Sequence, residues 1–179
     1  YTNVTGNNVR ESNYGYYLNS DSVSSIGNKI YYNRIINNSC SDTTRCFFVF
    51  SGYWPTLFNN TFENNTLKNS TYGFYIESDA NYDLTNNNFT NNLIDNMTYG
   101  IYLRSDASNA IIDNNFQDNN FSTIGEYAVY FSNVNSYRND FGASNTLNGL
   151  TFYHYYNRGN NYNLQCLPQN CKSLLLYRQ

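Results

Sequence analysis

The chain has 179 residues, a mass of 20.8 kDa, a mean hydropathy of −0.64 and a formal net charge of −3 at pH 7. That length suits one domain with a real core, and ten Lys and Arg against thirteen Asp and Glu leave no positive field for phosphates, which excludes a basic nucleic-acid binder. The longest aliphatic run, Leu174-Leu175-Leu176, is far below the ~20 residues of a membrane-spanning helix, and twenty Tyr with twelve Phe carry too much apolar surface for a disordered chain.

In chain order, Asn7 to Ser12 reads as a worn copy of an Asn-rich corner that returns downstream, so the sequence enters partway through a turn. A block GYYL starts at Gly15 and recurs as CFFV at Cys46, GFYI at Gly73, GIYL at Gly100 and AVYF at Ala128, with steps of 31, 27, 27 and 28. Between the blocks, five further series advance by 27 residues: Ile30, Leu57, Leu84, Ile111; Asn33, Asn60, Asn87, Asn114; Ile35, Phe62, Phe89, Phe116; Asn38, Asn65, Asn92, Asn119; and Cys40, Leu67, Ile94, Phe121. The long first step is assigned to a disulfide-closed loop, Cys40 to Cys46, bulging between two repeats. The last step is assigned to a one-residue insertion before Tyr127. After Asn148 the period fades. Residues 1–150 are therefore the repeat domain, and 151–179, with Cys166, Pro168, Cys171 and the apolar run Ser173 to Tyr177, form a C-terminal cap or an exchanged strand.

A repeat of 27 residues is short for a helical repeat, and its apolar residues alternate. In TYGFYIESD, Phe74 and Ile76 share one face while Tyr75 and Glu77 share the other, the period of a strand. In DLTNNNFTNNLI, Leu84, Phe89 and Ile94 are separated by Asn clusters, so short strands alternate with sharp corners. Stacking each strand in parallel on its equivalent, ~4.8 Å away, gives an all-β solenoid, a parallel β-helix. Its interior columns are 16/47/74/101/129, 18/49/76/103/131 and the 30, 35 and 40 series. The Asn38 series is expected to form a buried amide ladder, and the Asn33 series a left-handed corner.

The pattern GxYLxS followed by NNxFxNN, covering about Asn13 to Asn145, resembles the right-handed parallel β-helix repeat family that includes pectate-lyase-like and NosD-like proteins. The resemblance implies a single-stranded right-handed parallel β-helix. It leaves function open, because this fold hosts lyases, hydrolases, epimerases, adhesins and structural proteins. The composition, rich in Asn, Tyr, Ser and Thr and poor in Lys, resembles that of secreted archaeal surface glycoproteins.

Asparagine makes up 36 of the 179 residues, and Asn-x-Ser/Thr occurs at Asn3, Asn37, Asn59, Asn64, Asn69, Asn88, Asn96 and Asn120, the acceptor pattern for N-glycans. The simplest cysteine pairing is Cys40–Cys46 with Cys166–Cys171, one of three connectivities for four cysteines. Such bonds imply an oxidising, extracellular setting. The two pairs without supporting histidines make a poor zinc pattern.

Two constellations sit on the outward strand face. Tyr75, Glu77 and Asp79 lie one coil from Tyr102, Arg104 and Asp106. The family resemblance implies that acids on such a face act on sugars, often with calcium, and stacked Asp79 and Asp106 would be ~5 Å apart, close enough to share a cation. Against this, Glu77 and Arg104 make an ordinary cross-strand charge pair. The second constellation is the aromatic stripe Tyr17, Phe48, Tyr75, Tyr102 and Tyr130, a contact for a partner or for sugar rings. His154, the sole histidine, is a cap residue.

The resulting expectation is a secreted, N-glycosylated, non-enzymatic subunit of a surface layer or filament, without a cofactor and self-associating, with end-to-end stacking as one mode. The alternatives are a carbohydrate-active enzyme using Asp79, Asp106 and Arg104, or a glycan-binding adhesin.

Overall fold

A computed structural model describes residues 2–20, 29–52, 57–79, 84–105, 111–132 and 139–152, with the backbone alone for 153–155, 163–166 and 175–177. The proposed Cys166–Cys171 bond and Asp106 lie outside what it describes.

The chain winds as successive coils of short strands. The first is β1 (Asn3–Thr5), β2 (Asn8–Arg10) and β3 (Tyr14–Ser20), and the second is β4 (Ile30–Tyr31), β5 (Arg34–Ile36), β6 (Ser39–Ser41) and β7 (Arg45–Ser51). The third is β8 (Leu57–Phe58), β9 (Thr61–Glu63) and β10 (Thr66–Ser78), and the fourth is β11 (Leu84–Thr85), β12 (Asn88–Thr90) and β13 (Leu93–Ser105). The fifth is β14 (Ile111–Ile112), β15 (Asn115–Gln117) and β16 (Asn120–Phe131). Each strand pairs in parallel with its equivalent, Phe62 with Phe89, Phe89 with Phe116, Ile76 with Leu103. This is the parallel β-solenoid that the 27-residue columns demand. It ends where β17 (Asp140–Leu147) turns back antiparallel into β18 (Leu150–Tyr155), followed by β19 (Asn163–Cys166), while β20 (Leu175–Tyr177) lies parallel to β16.

The interior columns are dry. Phe47, Phe74, Val49, Ile76, Leu57, Leu84, Phe62, Phe89, Phe116, Leu67 and Ile94 are all 0% exposed. Phe62, Phe89, Phe116 and Phe141 stack face to face at 4.6, 4.6 and 4.4 Å between centroids.

Corners are built from pairs of residues, and here one expectation needs correcting. Left-handed backbone falls on Tyr32, Asn59, Asn86 and Asp113, and again on Asn37, Asn64, Asn91 and Asp118, all with φ between 54 and 58°. The residue that follows each is a ladder asparagine. The Asn33 series is thus not the left-handed corner; it is a second amide ladder beside the Asn38 series. Asn60 Nδ2 donates to Asn87 Oδ1 at 3.0 Å and Asn87 Nδ2 to Asn114 Oδ1 at 2.9 Å. Asn65 Nδ2 donates to Asn92 Oδ1 at 3.0 Å and Asn92 Nδ2 to Asn119 Oδ1 at 2.9 Å. The physical reason is division of labour. An outward residue takes the positive φ, and its neighbour turns inward to satisfy the backbone that the corner breaks, as Asn92 Nδ2 does by donating to the Phe62 carbonyl at 3.0 Å.

The cysteine pair needs a second correction. Cys40–Cys46 is a disulfide with Cα atoms 5.5 Å apart, yet it closes no bulge. Both residues are buried, at 1% and 0% exposure, and Ser39 and Arg45 pair in regular register with Thr66 and Tyr72. Cys40 takes the column of Leu67 and Ile94; Cys46 takes that of Gly73 and Gly100. Because Ser20 pairs with Ser51 while Ile30 pairs with Leu57, the four extra residues of the long step lie between Ser20 and Ile30. The one-residue insertion falls as expected, between Ile124, which pairs with Met97, and Tyr127, which pairs with Tyr99.

Candidate functional site

The long outward strands β3, β7, β10, β13 and β16 carry an aromatic wall. On each, two consecutive residues, such as Gly73 and Phe74, face inward. A Cβ on Gly73 would lie 2.5 Å from the Gly100 carbonyl oxygen and 3.1 Å from Ile94, so the first inward position must be small. That local kink brings two outward residues three apart, Tyr72 and Tyr75, together edge to face at 4.9 Å. Stacking the coils then yields two adjacent columns. One is the anticipated stripe Tyr17, Phe48, Tyr75, Tyr102, Tyr130. The other, which the sequence reading missed, is Tyr14, Arg45, Tyr72, Tyr99, Tyr127. Its signal was the residue preceding each Gly/Cys/Ala block, hidden by the arginine.

Within each column neighbouring rings lie nearly parallel except at one step, where Phe48 meets Tyr75 edge to face at 5.4 Å and the Arg45 guanidinium lies over both. Centroids are 4.8 Å apart for Tyr17 and Phe48, 5.0 Å for Tyr75 and Tyr102, 4.8 Å for Tyr102 and Tyr130, and 5.2 Å for Tyr72 and Tyr99. The faces therefore cover one another, and the wall shows solvent ring edges and hydroxyls. Tyr75 is 5% exposed although it points outward, while Tyr17, at the N-terminal rung, is 49% exposed. Arg45 acts as a rung itself, its guanidinium 4.4 Å from the Tyr75 ring centre and 4.8 Å from that of Phe48. Burial, followed by neighbouring tyrosines, pushes the Tyr102 hydroxyl up to about 12. A hydrogen bond to the Glu126 carboxylate at 2.6 Å, more than burial, raises Tyr99 further.

The acidic constellation resolves differently. Arg104 Nη1 holds Glu77 Oε1 at 2.9 Å, the cross-strand pair. Asp79 donates its backbone N–H to the Ser51 carbonyl at 2.8 Å, and its would-be partner Asp106 is not described. Among the described residues no group of three His, Cys, Asp or Glu side chains is arranged to hold a metal ion. Also among them, no helix is long and apolar enough to cross a membrane. Inside the wall, Ser20, Ser51, Ser78 and Ser105 stack in register and are 2% exposed or less, a polar column legible in the recurring LNS, VFS, IES and LRS but not noticed there.

The asparagines fall into two classes. The ladder residues from Asn38 through Asn145 are buried. The sequon residues Asn3, Asn37, Asn64, Asn69, Asn88, Asn96 and Asn120 are exposed and Asn59 is half-buried. In each sequon the middle residue turns toward the core, so that the Asn and the Ser or Thr lie together on the outside. Comparison with protein-family models, with curated proteins and with solved structures finds no match for this chain.

Proposed function

We propose that this parallel β-solenoid is a secreted structural glycoprotein, a subunit of a surface layer or filament held by lateral contacts between copies. The observation that carries this reading is the aromatic wall. Its ring faces are already used by neighbouring rungs, so it offers a broad surface of edges and hydroxyls suited to packing against another protein wall. Sugar stacking, by contrast, needs a free ring face. The disulfide supports an oxidising compartment, and eight sequons with outward acceptors support N-glycans on the remaining surface. The repeat pattern supports kinship with the right-handed parallel β-helix family, and the composition supports likeness to archaeal surface glycoproteins. Electron microscopy of concentrated native protein tests the assembly: sheets or filaments are expected, lost in Tyr102→Arg/Tyr130→Arg. Monodisperse particles at every concentration would overturn it. Intact mass before and after deglycosylation tests the glycans.

A second reading, glycan binding, has its own observation. An open groove of about 530 Å³ runs beside the wall, lined by uncharged groups including Asn69, Ser70, Thr71, Asn96 and Thr98. A glycan array that stays blank with the deglycosylated protein removes this reading.

A further inference from the structure

The one-residue insertion in the fifth coil places Glu126 on the wall, where its Oε2 accepts a hydrogen bond from the Tyr99 hydroxyl at 2.6 Å. The Tyr99 ring, like that of Tyr102, meets four other tyrosines, with Tyr72 at 5.2 Å, Tyr102 at 5.4 Å, Tyr130 at 5.7 Å and Tyr127 at 6.2 Å between centroids, and of the two it is the one bonded to a carboxylate. Tyr75 joins through Tyr72 at 4.9 Å and Tyr102 at 5.0 Å. Toward the N-terminus the cluster is bounded by Phe48, which has no phenol to oxidise. Arg45 bounds it as well, its cation 4.4 Å from the centre of Tyr75 and opposing positive charge there. One end of the cluster thus repels an electron hole, and the other holds a carboxylate ready to take a proton.

We propose that these six tyrosines form a one-electron relay whose radical settles on Tyr99, with Glu126 as its proton acceptor. A one-electron oxidant of the radical class removes an electron from an outer phenol, and the hole crosses ring contacts to Tyr99. There the phenol O–H bond breaks, the proton forms an O–H bond on Glu126 Oε2, and a neutral phenoxyl radical remains beside a neutral carboxylic acid. A thiolate, as one-electron reductant, gives an electron to the phenoxyl oxygen and becomes a thiyl radical, while the O–H bond on Glu126 breaks and the proton re-forms the Tyr99 hydroxyl. Packed rings hold the radical centres apart and limit ring-to-ring coupling between molecules.

The test uses the full chain and azidyl radicals, which are reduced to azide, with phenoxyl absorbance and electron paramagnetic resonance as readouts. The native protein is expected to give one persistent phenoxyl radical whose g-values report a hydrogen bond. Glu126→Gln is expected to slow its formation about tenfold, below the hundredfold of a well-placed base because five other phenols stay oxidisable. Tyr99→Phe keeps the stack but loses the hydrogen-bonded signal, and Tyr31→Phe, away from the wall, changes nothing. Glu126 is exposed, and far-UV circular dichroism verifies that each variant is folded. Equal formation rates and g-values in native and Glu126→Gln protein, or an unchanged signal in Tyr99→Phe, overturn the relay.

Discussion

Two of the aromatic columns of this molecule, one inside and one on the wall, keep nearly the same spacing. Phe62, Phe89 and Phe116 stack at 4.6 Å within the core, and Tyr75, Tyr102 and Tyr130 at 5.0 and 4.8 Å on the wall. The backbone imposes that separation on both, because neighbouring parallel strands lie ~4.8 Å apart whatever they carry. What differs is the worth of the contact. Inside, each ring is wholly removed from water and flanked by amide ladders whose side chains are hydrogen-bonded from coil to coil. Outside, the ring edges and hydroxyls stay wet, so the stack adds only the modest term of aromatic pairing.

Five outcomes sharpen or break this contrast. Phe89→Ala removes a fully buried ring between two others and is expected to cost about 4 kcal/mol in urea unfolding; a loss under 1 kcal/mol would show that the core can collapse around the hole. Asn92→Ala strips partners from the Asn65 N–H groups and the Phe62 carbonyl, for about 3 kcal/mol. The exposed Asn88→Ala should shift the same midpoint by no more than about 0.5 kcal/mol. On the wall, Tyr102→Ala is expected to lose about 1.5 kcal/mol, and a loss equal to that of Phe89→Ala would erase the distinction between the columns. The smallest effect is alkaline. Tyr102 keeps its proton to about pH 12 in the folded state, while the unfolded phenol loses it near 10. Its contribution is therefore intact below pH 10 and is lost as pH rises from 10 toward 12. Stability measured across that window should fall, and fall less in Tyr102→Phe.

Much of this was written in the chain, because vertical register forces a column to be uniform. The Phe62, Phe89, Phe116 series and the Asn38 series could be read for that reason alone. Step length, however, counts residues without locating them. Four extra residues looked like a Cys40–Cys46 bulge because a sequence separation of 6 between bonded cysteines suggests a local loop; only the pairing of Ser20 with Ser51 moves them upstream. The left-handed residues Tyr32, Asn59, Asn86 and Asp113 share a backbone angle but not a side chain, so their column left no compositional trace, and the role passed by default to Asn33. On the wall, Arg45 broke the second column for the eye although it continues the stack in space. Whether ring faces were free or covered, on which the proposed contact rests, is a matter of rotamer and could not be seen in letters.

The amide ladders also give the solenoid an electrical sense. In both rows every Oδ1 points to the coil before it and accepts there, while Nδ2 donates one N–H to the Oδ1 of the coil after it and the other to a main-chain carbonyl of the coil before it. Their dipoles therefore add instead of cancelling, much as peptide units do along an α-helix, with the partial negative pole at the first coil. Two such rods lying flank to flank attract when they run in opposite directions and repel when they run alike.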